Sequence, residues 1–140
     1  DRVRARRVTI DTGSGSVDVT RVQADAVLVD TGSGSVAISE MDAAEVRVDT
    51  GSGSVTLDFA RLGPGRVFVD TGSGGVTLRL PRDASARVRA STGSGGIRVD
   101  LPGARLVTMS RREAVFEVGD GRTPVALETG SGGIRIVERR

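Results

Sequence analysis

Six near-copies of one turn, Thr-Gly-Ser-Gly, recur along the chain, and no other feature restricts the fold so strongly. The copies read VTIDTGSGSVDV from Val8, VLVDTGSGSVAI from Val27, VRVDTGSGSVTL from Val46, VFVDTGSGGVTL from Val67, VRASTGSGGIRV from Val88 and VALETGSGGIRI from Val125. Their threonines, Thr12, Thr31, Thr50, Thr71, Thr92 and Thr129, are spaced by 19, 19, 21, 21 and 37 residues. The last gap is close to twice the repeat, so a degenerate coil lacking the glycine-rich turn is expected over about 102–123.

Each copy alternates with period two, the pattern of a half-buried strand. Val27, Val29 and Thr31 share one face while Leu28 and Asp30 share the other. After the turn Val36 and Ile38 point inward and Ala37 outward, and the same parity places Val46, Val48, Val55 and Leu57 inside. Strands this short cannot bury a face alone, but coils stacked about 4.8 Å apart can. Val22, Met41 and Leu62 each fall five residues before the next copy's first valine and are expected to plug the third side of the coil. No segment has a helical period. The pattern predicts an all-β, single-domain parallel β-solenoid (β-helix) over residues 1–140, with 19–21 residues per coil. It comprises about seven coils: motif coils from 8 to 101, the degenerate coil, and a final motif coil over 124–137. A propeller blade needs about twice this period, and a sandwich does not explain one turn at nearly fixed spacing.

The turn glycines then have a mechanical role. Gly13, Gly15, Gly32, Gly34, Gly51, Gly53, Gly72, Gly74, Gly93, Gly95, Gly130 and Gly132 bracket the motif serines where the chain changes sides. Positive φ or close approach of stacked turns favours glycine there.

Several letters of the motif imitate chemistry. Asp-Thr-Gly-Ser is the core of the aspartic-protease signature, which needs two such aspartates sharing a proton. Here Asp11, Asp30, Asp49 and Asp70 recur at the repeat spacing, and the last two copies carry Ser91 and Glu128 instead. A repeat of this kind does not build a bilobed cleft. Gly32-Ser-Gly34-Ser-Val-Ala37 imitates a dinucleotide fingerprint, but a strand rather than a helix follows it. All 20 basic residues are Arg, and the chain has no Lys, His, Cys, Trp or Tyr. The motif serines therefore have no imidazole or amine to activate them, and no soft metal ligand exists. No catalytic residue, cofactor or metal site is expected. A net charge of +2 with three phenylalanines as the only aromatics gives no base-stacking platform, so no nucleic-acid partner is expected.

Parity instead sets an outward column of Asp11, Asp30, Asp49 and Asp70, continuing through Ser91 to Glu128. Two readings of it stand side by side. Each carboxylate accepts hydrogen bonds from its own turn, with Arg47 and Arg89 adding surface ion pairs, or the column is a ladder facing a cation or a partner. Leu28 and Phe68 are outward and apolar and join the acidic column as a candidate interaction surface. The threonine column falls on the valine side, which speaks against an ice-binding face. Arg2, Arg4, Arg6 and Arg7, with Arg139 and Arg140, place charge on the ends, where it discourages end-to-end polymerisation.

The repeated V-x-V-D-T-G-S-G-x-V-x-L/I, ending in LETGSGGIRI, resembles the bacterial "putative adhesin" family of repetitive β-solenoid domains, a domain of unknown function. The resemblance spans Val8 to Val137. It implies an extracytoplasmic location at the cell envelope or surface and brings no catalytic residues with it. No apolar run approaches membrane-spanning length, so no direct membrane insertion is expected. The abrupt start at Asp1, inside a strand-like stretch, points to a targeting segment lying upstream. Three functions follow in order: a non-enzymatic surface binding or scaffold module for a protein or glycan, a structural protein that self-associates through solenoid ends into filaments, and a polymer-acting β-helix enzyme.

Overall fold

The structure, a computed structural model, describes residues 3–81, 85–100, 104–110, 112–119, 121 and 123–138. Among them there is no helix, and the chain is all-β. The strands are β1 (Val3–Ser14), β2 (Val17–Ser33), β3 (Val36–Ser52), β4 (Val55–Ser73), β5 (Val76–Leu80), β6 (Ala86–Ser94), β7 (Ile97–Asp100), β8 (Arg105–Met109), β9 (Glu113–Val118), β10 (Thr123–Ser131) and β11 (Ile134–Glu138).

Each motif turn is a corner. The arm before it forms one parallel ladder and the arm after it a second. In the first ladder β1, β2, β3 and β4 stack in chain order, so that Asp11, Asp30, Asp49 and Asp70 lie side by side and the threonines do likewise. The order then changes. β4 pairs with β10, not with β6, and β6 lies on the far side of β10. The second ladder repeats the exchange, with the Val76–Leu80 strand against β11 and β11 against β7. The sixth copy is thus inserted between the fourth and the fifth.

Six turn-bearing repeats stack, and the degenerate coil expected over about 102–123 is not a coil. Its described part folds as a hairpin: β9 runs antiparallel to β6, and β8 antiparallel to β9. The chain reverses where Ser110 N–H donates to the Glu113 carbonyl (2.7 Å) and Glu113 N–H donates to Ser110 Oγ (3.1 Å). Two physical reasons stand behind the difference. Without the glycine turn this segment cannot bring its corner against a neighbour's carbonyls. The antiparallel run also delivers the chain to the start of β6, since Val118 lies opposite Ala86 on one side and Thr123 opposite Ala86 on the other.

Close stacking explains the glycines. A Cβ on Gly32 would lie 2.6 Å from the carbonyl oxygen of Gly13, whereas Gly13, in the outermost repeat, would meet nothing within 4 Å. Gly34 adds a positive φ of 120° and faces the carbonyl of Gly15 in the same way. A second corner uses Arg21 and Glu40, which take left-handed φ values of 61° and 51° and form an ion pair at 2.8 Å.

The core lies between the ladders. Val27, Val29, Val46, Val48, Val67, Val69, Val125 and Leu127 come from the arm before the turn, and Val36, Ile38, Val55, Leu57, Val76, Leu78, Ile134 and Ile136 from the arm after it; all are buried. Each contributes roughly 1.5–3 kcal/mol before chain entropy is subtracted. Val22 and Met41 fill the third side as expected. In the fourth repeat the buried side chain there is Phe59, which lies opposite Met41; Leu62 pairs with Ala43 through its backbone, and its side chain lies outside the described residues.

Candidate interaction face

The outward side chains of the long ladder form three rows across the strands. One row runs Asp11, Asp30, Asp49, Asp70, Glu128, Ser91 and Glu113. Because β10 is inserted, Glu128 adjoins Asp70 and Ser91 moves to the end, so five carboxylates stand in unbroken sequence. The middle row runs Thr9, Leu28, Arg47, Phe68, Ala126, Arg89 and Val115. In the third row Pro124 is aligned with Arg87, and Arg66, aligned with Glu45, directly precedes the Val67 that pairs with Val125.

The threonines, not the aspartates, cap the turns. The hydroxyls of Thr12, Thr31, Thr50, Thr71, Thr92 and Thr129 each donate to the serine carbonyl two residues on, at 2.8–3.0 Å. Thr92 Oγ1 also donates to the Gly132 carbonyl and Thr129 Oγ1 to that of Gly74, tying each repeat to its neighbour. The carboxylates of Asp11, Asp30, Asp49, Asp70 and Glu128 make no hydrogen bond or ion pair among the described residues, so the expectation that they cap their own turns fails. The threonine hydroxyl sits on the inward side, beside the carbonyl it serves, whereas the aspartate one residue earlier points to solvent. No group of three carboxylates among the described residues converges closely enough to hold a metal ion. Arg89 pairs with Glu113 at 3.4 Å, and Arg47 lies over the Phe68 ring, 5.8 Å from its centroid.

Two concavities open on this face, with the Arg47–Phe68 contact as the ridge between them. The smaller, about 320 Å³, is lined by Leu28, Arg47, Asp11, Asp30 and Asp49. The larger, about 740 Å³, lies over β10 and is lined by Arg66, Phe68, Arg87, Arg89, Val115, Pro124 and Ala126. Of the candidate surface residues, Asp11, Asp30, Asp49 and Leu28 therefore meet at the first concavity, Phe68 borders the second, and Asp70 and Glu128 lie in the row alongside. Arg66, Arg87, Pro124, Ala126 and Val115 were not legible as a group, because only the inserted strand brings them together.

The chain belongs to the Toastrack DUF4097 family, whose model matches residues 1–137. Its fold is similar to the crystal structure of a "putative cell adhesion protein" from Clostridium sporogenes: the TM-score is 0.64 and the sequence identity 14%, over 99% of this chain and 93% of that one. No curated protein sequence matches the chain.

Proposed function

We propose that the chain forms one β-solenoid domain that acts as a non-enzymatic binding module at the cell envelope, making contact with its target through the outer face of the long ladder. One observation carries this reading. The inward side chains and the strand backbones are spent on the stack, whereas the outward rows stand exposed on a rigid frame and form two concavities. The family and the adhesion description of the similar structure support a surface role. Labelled protein is expected to bind intact bacterial cells or isolated envelopes. Phe68→Glu should lower that binding at least tenfold while leaving stability within about 0.5 kcal/mol, as a surface substitution does. Binding by neither protein, or equal binding by both, would count against the reading.

Self-association has one observation in its favour. The edge strand β8 exposes Leu106, Val107 and Met109 by 59%, 52% and 56%. The opposite edge, β1, exposes Arg4, Arg6 and Arg7, and Arg105 stands on β8, so head-to-tail contact sets like charges against each other. A filament therefore finds support at one end only. Sedimentation across a concentration series should show no ladder of species.

A further inference from the structure

We propose that the groove over β10 binds a polyanionic sugar chain; this names a ligand class for the binding module above and rests on that reading. The groove exists because of the strand exchange. Ala126, between Phe68 and Arg89, and Pro124, beside Arg87, are both short, and Arg66 lines the same groove from β4. The trough so formed is two strand spacings, roughly 10 Å, across. Its volume of about 740 Å³ falls within the usual range of specific ligand sites.

Three guanidinium groups line it and no carboxylate does. Arg66 makes no hydrogen bond or ion pair among the described residues. Arg87 and Arg89 hold only long contacts, 3.7 Å to Glu117 and 3.4 Å to Glu113, with side chains 58% and 69% exposed. Both can turn to an incoming oxyanion at little cost, since exposed pairs of this kind contribute at most about 1 kcal/mol. The row of Asp70 and Glu128 borders one side, and Glu45 and Glu117 are aligned with Arg66 and Arg87 beyond the two walls. Carboxylates thus surround the arginine-lined trough, and an anionic chain is drawn to the trough itself.

The position of the groove decides between a sugar chain and a peptide. β10 is hydrogen-bonded to β4 and to β6, so no free strand edge lies within the trough. An extended peptide placed there would bury its own N–H and C=O groups without partners. A sugar chain has no such obligatory ladder. Its apolar ring faces fit Phe68, Pro124 and Ala126, and its repeated oxyanions fit the planar forks of arginine.

Isothermal titration of the 140-residue protein tests this with polygalacturonate, dextran sulfate, neutral dextran and poly-glutamate. At least one anionic polysaccharide should bind, and which one does distinguishes carboxylate from sulfate recognition. Neutral dextran and poly-glutamate should be at least tenfold weaker, and added salt should weaken the complex. Arg66→Glu and Ala126→Trp should each lower affinity at least tenfold without lowering the melting temperature, whereas Arg98→Glu, on the other ladder, should not change it. Failure of both anionic polysaccharides to bind, equal binding of poly-glutamate, or an unaffected Ala126→Trp variant overturns the proposal. Cell binding that persists despite such a failure leaves the binding-module reading intact; its loss as well removes both.

Discussion

From β1 to β4 every strand lies against the one that precedes it in the chain, whereas beyond β4 the next neighbour is β10 and only then β6. The motif is nearly the same in both halves, and so is the register: Thr faces Thr throughout, and the residue before it (Asp in the first four copies, Glu128 and Ser91 in the others) faces its counterpart. What differs is the filling of the core. β10 carries Leu127 where β6 carries Ala90. In the interior Leu127 lies beside Val69, while Ala90 lies opposite Ala114 and the buried Phe116 lies opposite Val88. The exchange also has an electrostatic cost, since it sets Glu128 beside Asp70. That repulsion is about 0.8 kcal/mol in water, less than the 2–5 kcal/mol that a missing large core side chain costs. Register follows the motif, and the two strands that exchange places differ in the volume they bring to the core.

The contrast can be broken first at Leu127. Leu127→Ala should destabilise by about 2–5 kcal/mol in denaturant titration. Hydrogen exchange should show β6 and β9 losing protection before β2 and β3; uniform loss would mean that the two halves are one cooperative unit. A smaller effect separates the outermost repeat from the interior ones. Gly32→Ala forces a Cβ to within 2.6 Å of a backbone oxygen and should cost roughly 1–3 kcal/mol, while Gly13→Ala, with open space around it, should be neutral or slightly stabilising. Equal melting temperatures for the two variants would contradict the stacking contact. The smallest effect concerns charge. Asp70→Asn, relieved of two neighbouring carboxylates, should stabilise by a few tenths of a kcal/mol at low salt, and more than Asp11→Asn, which has only Asp30 beside it. Added salt should erase that difference.

Much of this was written in the alternation. Val46, Val48, Val55 and Leu57 are buried where period two places them, and the threonines face inward with them. Chain order was another matter. Six copies of one register match each other equally well, so spacing alone cannot say that the sixth lies between the fourth and fifth. The gap of 37 residues has the length of two coils and equally of one coil plus a hairpin, and only the missing glycine corner tells them apart. The groove was illegible for the same reason, since Pro124 and Ala126 are unremarkable until β10 lies between Phe68 and Arg89.

The insertion of β10 also bears on how the molecule is made. A chain emerging from its N-terminus completes the four ordered repeats first, and β6 exists before β10 does. For that interval the exposed edge of β4 meets a strand of matching register that does not belong there. A shortcut in which β6 docks on β4 would have to come apart before the last repeat could enter. The step that closes the stack thus waits until β10 and β11 have been synthesised, and the middle of the stack is closed after both of its flanks exist.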